Sequence, residues 1–252
     1  MALILGRYGS REIMDFQIFD YTTKEPLMTI DYATSAQTEN TAETVYARGG
    51  SGNPRRIAWN GDKETTVTVE TQIFTMQHLA MLAGENIVIG ASEIYKREVL
   101  PVESGGIVTL SKTPLGNDVA VYSFVNGILA DSLDVASVNG NEVKIATTPT
   151  APEVEVYYRY EVSNAAQLSF TAKGFPHYVF LVGDTTYSDE VAEGGEIVMA
   201  QLKYYKAKLQ PNFTVTNAPS GDPSTLTLTF DIFPVKINGE DRLYDMTIYD
   251  DK

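Results

Sequence analysis

From Glu64 to Gln72 the chain alternates. Glu64, Thr66, Thr68, Glu70 and Gln72 fall on one side, and Thr65, Val67, Val69 and Thr71 on the other. A period of two predicts a strand with one wet face and one covered face. At Ile73 the period lengthens. Ile73, Met76, Ala80 and Ala83 form one helical row and Phe74, His78, Met81 and Leu82 the adjoining one, with Gly84 as the left-handed stop that helix ends favour. Alternation returns at Met14–Phe19, Glu153–Val162 and Thr225–Ile232. Four Asn-Gly pairs, Asn60-Gly61, Asn126-Gly127, Asn139-Gly140 and Asn238-Gly239, lie between such runs. Asn-Gly accepts positive φ at both central positions of a type I′ turn, so it marks hairpins. The pattern predicts a mostly β, antiparallel protein with one short helix.

Two stretches read as seams. PVESGG at 101–106 and SNAA at 163–166 bracket a block with its own predicted strands, Ile107–Ser111, Val119–Val125, Glu142–Thr147 and Glu153–Val162. The expected organisation is a discontinuous core domain, 1–101 and 163–252, carrying a small inserted β-sandwich at 102–162. Ala91–Leu100 and Gln167–Gly174 are both extended in pattern and are expected to continue one core sheet.

Composition narrows the class. The chain has 252 residues, 43% hydrophobic and 21% charged, which is long and apolar enough for a real core. No run approaches the ~18 apolar residues of a membrane helix, and the opening MALILGR is too short for a signal peptide. With no cysteine, disulfides and thiolate metal sites are excluded, and maturation is expected without redox chemistry, most simply in a cytoplasm. The net charge is −14, from 33 acids and 19 bases, so the chain repels phosphate backbones. Such acidity serves plain solubility, or a surface that DNA must pass without sticking.

Chemistry-bearing residues do not gather. His78 falls among apolar helix positions, where a packed histidine is the ordinary reading. His177 precedes the apolar run Tyr178–Val182 and marks a strand start. Two histidines so far apart, without cysteine, make no metal set. Asp245, Asp250 and Asp251 lack the glycine and closing glutamate of a calcium loop and read as a solvated tail. Gly49-Gly50-Ser51-Gly52 is followed by Asn53-Pro54 and two arginines, not by the Lys-Ser/Thr pair of a phosphate loop, and reads as a contact loop. In Tyr157-Tyr158 and Tyr204-Tyr205, alternation puts one ring in and one ring out. No catalytic, cofactor-binding or metal-ligating set is expected, and no enzyme is implied.

Taken in order, Arg48-Gly49-Gly50, Arg55-Arg56, Trp59-Asn60-Gly61, Glu70-Thr71-Gln72 and Leu82-Ala83-Gly84 compose a run that resembles tail tube proteins of long-tailed bacteriophages, particularly those with contractile tails. The resemblance covers residues 12–90 well and 165–252 by strand pattern, and 107–162 looks like the small β-domains such proteins carry between core strands. It implies two packed antiparallel sheets, sandwich- or barrel-like, flanked by one helix, a fold shared with type VI secretion tube proteins. It also implies a virion protein, made in the host cytoplasm, whose six-membered rings stack into a hollow tube for DNA delivery. Tail sheath, tape measure and baseplate proteins are the implied neighbours, and DNA passes the channel without specific binding. Under this resemblance the loop at 46–62, with Arg48, Gly49, Gly50, Arg55, Arg56 and Trp59, is the expected contact between rings, its arginines suited to carboxylates. Glu64, Thr66, Thr68, Glu70 and Gln72 are the first candidates to face the channel, and Thr225, Thr227, Thr229 and Asp231 the next.

Three other classes stay open on sequence alone. One is another tail or virion component, such as a sheath, terminator or decoration protein. Another is an extracellular carbohydrate-binding β-module using exposed Tyr or Trp59. The third is a hydrolase hidden among the 33 carboxylates.

Overall fold

The alternating runs become strands. The computed structural model, which describes residues 7–189, 197–216, 219–221 and 223–249, is mostly β, with one α-helix among the described residues. The chain divides into two units, one formed by the segments up to Ile87 and from Leu168 onward, the other by Val88–Gln167. The first segment carries β1 (Tyr8–Gly9), β2 (Asp15–Asp20), β3 (Pro26–Ile30), β4 (Ala33–Arg48), β5 (Arg55–Thr71) and α1 (Met76–Ala83). The second unit holds β6 (Val88–Pro101), β7 (Ile107–Thr109), β8 (Val119–Val125), β9 (Ile128–Leu133), β10 (Val135–Asn139), β11 (Glu142–Ile145) and β12 (Glu153–Gln167). The chain then returns to the first unit with β13 (Tyr178–Asp189), β14 (Ile197–Leu209), β15 (Leu226–Ile232), β16 (Val235–Ile237), β17 (Glu240–Arg242) and β18 (Tyr244–Tyr249).

In the first unit nine strands form one antiparallel sheet, in the order β3-β2-β13-β14-β15-β5-β4, with β1 on β13 and β18 on β14. β3 and β4 end this path at opposite edges, yet only Asp31 and Tyr32 separate them in sequence. So short a connection spans on the order of 10 Å, so the sheet must curl until its edges approach. One hydrogen-bonded set thus does the work expected of two packed sheets. Inside lie Phe16, Ile18, Val67, Val69, Leu181, Leu228 and Phe230, each contributing roughly 1.5–3 kcal/mol by burial. Tyr204 is fully buried among them, its hydroxyl 2.5 Å from that of Thr38, and burial pushes the phenol up to about 12.

The helix is capped at both ends. The Thr75 hydroxyl accepts from the His78 amide at 3.4 Å, and His78 Nδ1 accepts from the Thr75 amide at 2.9 Å. This is a capping box in which histidine replaces the usual Glu or Gln. Gly84 closes the helix at φ 65°, its amide donating to the Met81 carbonyl at 3.3 Å.

The second unit is a small sandwich. Sheets β10-β11-β7 and β6-β12-β8-β9 enclose Val108, Leu110, Val121, Val143, Val154, Val156 and Tyr158. Its boundaries differ from the 102–162 block read from sequence. Val88–Pro101 pairs with Glu153–Gln167 from Val88↔Gln167 to Pro101↔Glu153, so Ala91–Leu100 lies in this unit and does not continue the core sheet. A cut at residue 101 would strip backbone partners from two long strands, which is why the unit starts at the foot of that ladder. Of Gln167–Gly174, only Gln167 is in a strand. Within the unit, Glu98 accepts from the Ser111 amide at 3.1 Å, the Tyr158 hydroxyl at 3.0 Å, the Ser111 hydroxyl and Lys96. Burial opposes its charge, but these donors together hold the carboxyl down to about 2.

Candidate functional site

β4 and β5 pair along their whole length, from Ala33↔Thr71 to Arg48↔Arg55, but only the lower half of that ladder covers the core. Thr65, Val67, Val69 and Thr71 are buried, whereas every residue from 55 to 64 is exposed. The strand segment beyond Asn40 therefore projects as an arm of roughly 25 Å. The loop expected at 46–62 is, as a correction, a β-hairpin with its turn at Gly49–Pro54. The Gly49 amide donates to the Pro54 carbonyl at 3.3 Å and the Asn53 amide to the Gly50 carbonyl at 3.0 Å. Gly50 and Gly52, at φ 89° and 81°, supply the left-handed backbone this turn needs.

Asn60-Gly61 is not a turn. The register slips between Ala42 and Thr44, which leaves Gly61 against Glu43, where a Cβ would come within 3.2 Å of the Glu43 carbonyl oxygen. This bulge bends and twists the arm near its base. The other three Asn-Gly pairs do close hairpins, with both residues at positive φ in Asn126-Gly127 and Asn238-Gly239.

The arm is two-faced. Opposed pairs share a face, so Val45 with Trp59 and Ala47 with Ile57 line one side, and Thr44 with Asn60 and Tyr46 with Ala58 the other. Val45, Ile57 and Trp59 are 56%, 55% and 52% exposed, an apolar stripe that the described residues leave uncovered. At the tip, Arg55 stacks over Tyr46 with its guanidinium 4.1 Å from the ring centre, and Arg56 Nε donates to the Gly49 carbonyl at 3.2 Å. Among the described residues, neither these two arginines nor Arg48 has an ion pair.

Below the arm, the wet face predicted on β5 is shared by its neighbours. Ser35, Glu70 and Thr227 form one row across β4, β5 and β15; Gln37, Thr68 and Thr229 the next; Glu39, Thr66 and Asp231 the third. The two stretches proposed separately from sequence are thus one continuous polar face, tied by Ser35 Oγ donating to Glu70 Oε2 at 2.9 Å and Gln210 to Asp231 at 2.8 Å. Glu64 lies beyond these rows, on the arm, and Gln72 lies just past the end of β5. Thr225 immediately precedes β15.

At the foot of the ladder a cleft of about 440 Å³ opens between β3 and the start of α1, rimmed by Leu27, Tyr32 and Ile73. His78 reaches its wall. The residue is 6% exposed, and Nε2 finds no hydrogen-bond partner among the described residues. Burial pushes the imidazole down, against weaker pulls from Asp31 and the Thr29 backbone. Sequence reasoning missed the acids beside this cleft. Asp15 stands directly opposite Asp184 across β2 and β13, and partial burial, then Asp31, then Asp184 raise its carboxyl. The available signal was three isolated acids, one opening β2, one just past β3 and one within β13.

The remaining candidates are structural. His177 directly precedes β13. Asp245 is not in a solvated tail: it sits in β18, accepting from Tyr205 and, at 3.1 Å, from Arg242. Asp250 and Asp251 lie outside the described residues. Tyr158 and Tyr204 point in, Tyr157 and Tyr205 outward. No group of three potential metal ligands gathers among the described residues, and no helix there is long and apolar enough to cross a membrane.

A projecting amphipathic arm, a long open sheet edge and a broad polar face define a structural β-protein built to meet other chains. Residues 10–242 match the profile of the YomU/Tube protein family, and the chain belongs to that family. It is accordingly a phage tube-type structural protein, a component of the tail, and not a member of an enzyme family. No curated protein matched the chain.

Proposed function

We propose that the protein assembles into six-membered rings that stack into the hollow tube of a contractile-type phage tail, through which DNA is delivered. The carrying observation is the arm, whose outer half packs on nothing else among the described residues of its own chain. A hairpin with an apolar stripe and three arginines at its tip is costly to leave in water and is accounted for by a neighbour. The free edge of β4, a 16-residue strand, supplies backbone donors and acceptors for ring closure, which removes the edge. Arg48, Arg55, Arg56 and Trp59, carried by the Gly49-Gly50 turn, form the contact between rings. The polar face of Thr66, Thr68 and Glu70 lines the channel, with Glu64 and Gln72 at its ends. Its acids repel DNA only near contact, because screening at physiological salt acts over ~8 Å. The Val88–Gln167 unit is an insertion within the chain of the first unit. Sheath, tape measure and baseplate proteins are the neighbours, and type VI secretion tubes share the fold.

Electron microscopy of the concentrated protein tests this reading. Hollow rings or tubes are expected, with six-fold end views. Strictly monomeric scattering at every concentration, and no filaments, would overturn it.

A further inference from the structure

We propose that the apolar stripe of the arm docks into the β3–α1 cleft of a second copy of this chain, so that stacking joins the two ends of one ladder head to tail. The proposal rests on the tube reading and names the surface that receives the arm.

Position comes first. Tyr32 directly precedes β4 and Ile73 follows β5, so the cleft sits at the foot of the hairpin whose far end is the arm. The paired ladder between them keeps the arm from its own cleft. Surface chemistry matches. Val45, Ile57 and Trp59 are more than half exposed on the arm, and Leu27, Tyr32 and Ile73 are 47%, 61% and 58% exposed at the cleft. Charge matches as well. Residues 46–58 hold three arginines and no acid, on a chain of net charge −14. Beside the cleft, Asp15 and Asp31 have no cation partner among the described residues, and Asp184 is met only by Gln17 and Gln201, at 2.7 and 2.9 Å. Like charges placed opposite each other across strands are destabilising until a cation arrives. A contact between unlike surfaces at opposite ends is head to tail, so it propagates from copy to copy wherever its rotation does not close a ring.

The chain has no cysteine, so introduced pairs report without background. Ile57→Cys combined with Leu27→Cys, assembled and treated with a short bismaleimide, should give a ladder of dimers, trimers and longer species on a denaturing gel. Tubes that form with both thiols reactive but yield no ladder, or stop at dimers, overturn the proposal while leaving the tube reading intact. Failure of the unmodified protein to assemble under any condition overturns both. A charge exchange covers a cysteine variant that misfolds. Arg48→Asp and Asp31→Arg should each raise the critical concentration for stacking about tenfold, the equivalent of 1.4 kcal/mol. The combined variant should recover most of that loss. Single variants without effect, or a combination no better than either, overturn the pairing.

Discussion

Replacing Gly84 by alanine tests whether the helix end and the segment after residue 170 are locked together. Gly84 has φ 65°, where an alanine costs roughly 1–2 kcal/mol. Its Cβ would also lie 2.2 Å from the Phe175 carbonyl oxygen and 2.6 Å from the Phe175 nitrogen, both backbone atoms. Relief requires the two segments to part, and overpacking of this kind costs roughly 1–3 kcal/mol more. Reciprocally, a Cβ at Gly174 would come 2.4 Å from the Ala83 carbonyl, so neither side has room to give. The sum, roughly 2–5 kcal/mol, is a large share of the roughly 5–15 kcal/mol that holds an ordinary domain. Gly239→Ala is the control: φ is 88°, but nothing lies within 4 Å of its Cβ, so it carries the backbone strain alone. Gly84→Asn is the second, because asparagine tolerates φ > 0 yet would meet the same clash. Urea unfolding of the three variants, with amide exchange in Val88–Gln167 as an internal reference, reads the differences. Equal losses at Gly84 and Gly239, or a mild Gly84→Asn, would refute the close-contact argument.

Glu98, held down to about 2 against an ordinary 4.5, stabilises the second unit above pH 4.5 and loses that contribution as pH falls toward 2. Glu98→Gln should cost this unit roughly 1–3 kcal/mol at neutral pH and flatten its acid unfolding profile, measured by amide exchange against pH. His78 runs in the same direction for a different reason. Buried neutral, it binds protons less readily than in the unfolded chain, so its contribution is full above about pH 6.5 and declines as pH falls below that. His78→Gln keeps a side chain able to complete the capping box and should remove that slope; an unchanged slope would assign it to another group. Duplex DNA should not bind at ~0.15 M salt, since in the proposed stack the arm's arginines meet a neighbouring copy's carboxylates and not phosphate. Micromolar binding in a gel shift would contradict the acidic-face reading.

Much of the core was legible because burial imposes a period. Thr65–Thr71 and Leu226–Ile232 alternate in sequence and alternate in burial. The helix was legible from its rows and from Gly84, but its start was not, since His78 stands where a capping box normally shows Glu or Gln. The arm was hidden by its own glycines. GGSGNP and Asn60-Gly61 both read as loop, yet one is a turn and the other a bulge, and the strand signal lay in Thr44-Val45-Tyr46 against Ile57-Ala58-Trp59. The β6–β12 ladder joins residues far apart in sequence, and local periodicity contains no information about which strand a run will pair with. The candidate polar faces were found as two stretches. Their merger into one surface depended on β5 lying between β4 and β15, which register alone decides.

The two edges of the core sheet are treated unequally, and that asymmetry bears on how copies meet. β3 is five residues long and opens with Pro26, which donates no backbone hydrogen bond, so this edge is short and blunted. β4 is 16 residues long, contains no proline or lysine, and carries charge only at Glu39, Glu43 and Arg48. Edges that must stay solitary are usually shortened, bulged or studded with charge. Here one edge has those protections and the other largely lacks them along the part that covers the core. An accidental defect would expose the apolar core side chains along with the backbone, but on this half of β4 Ala36 and Thr38 are partly covered, while Ser35, Gln37 and Glu39 face water. The edge is therefore open in hydrogen bonding and wet in side chains. That combination lets a protomer remain dissolved while alone and still offers a strand's worth of unmet backbone groups to a partner aligned with it.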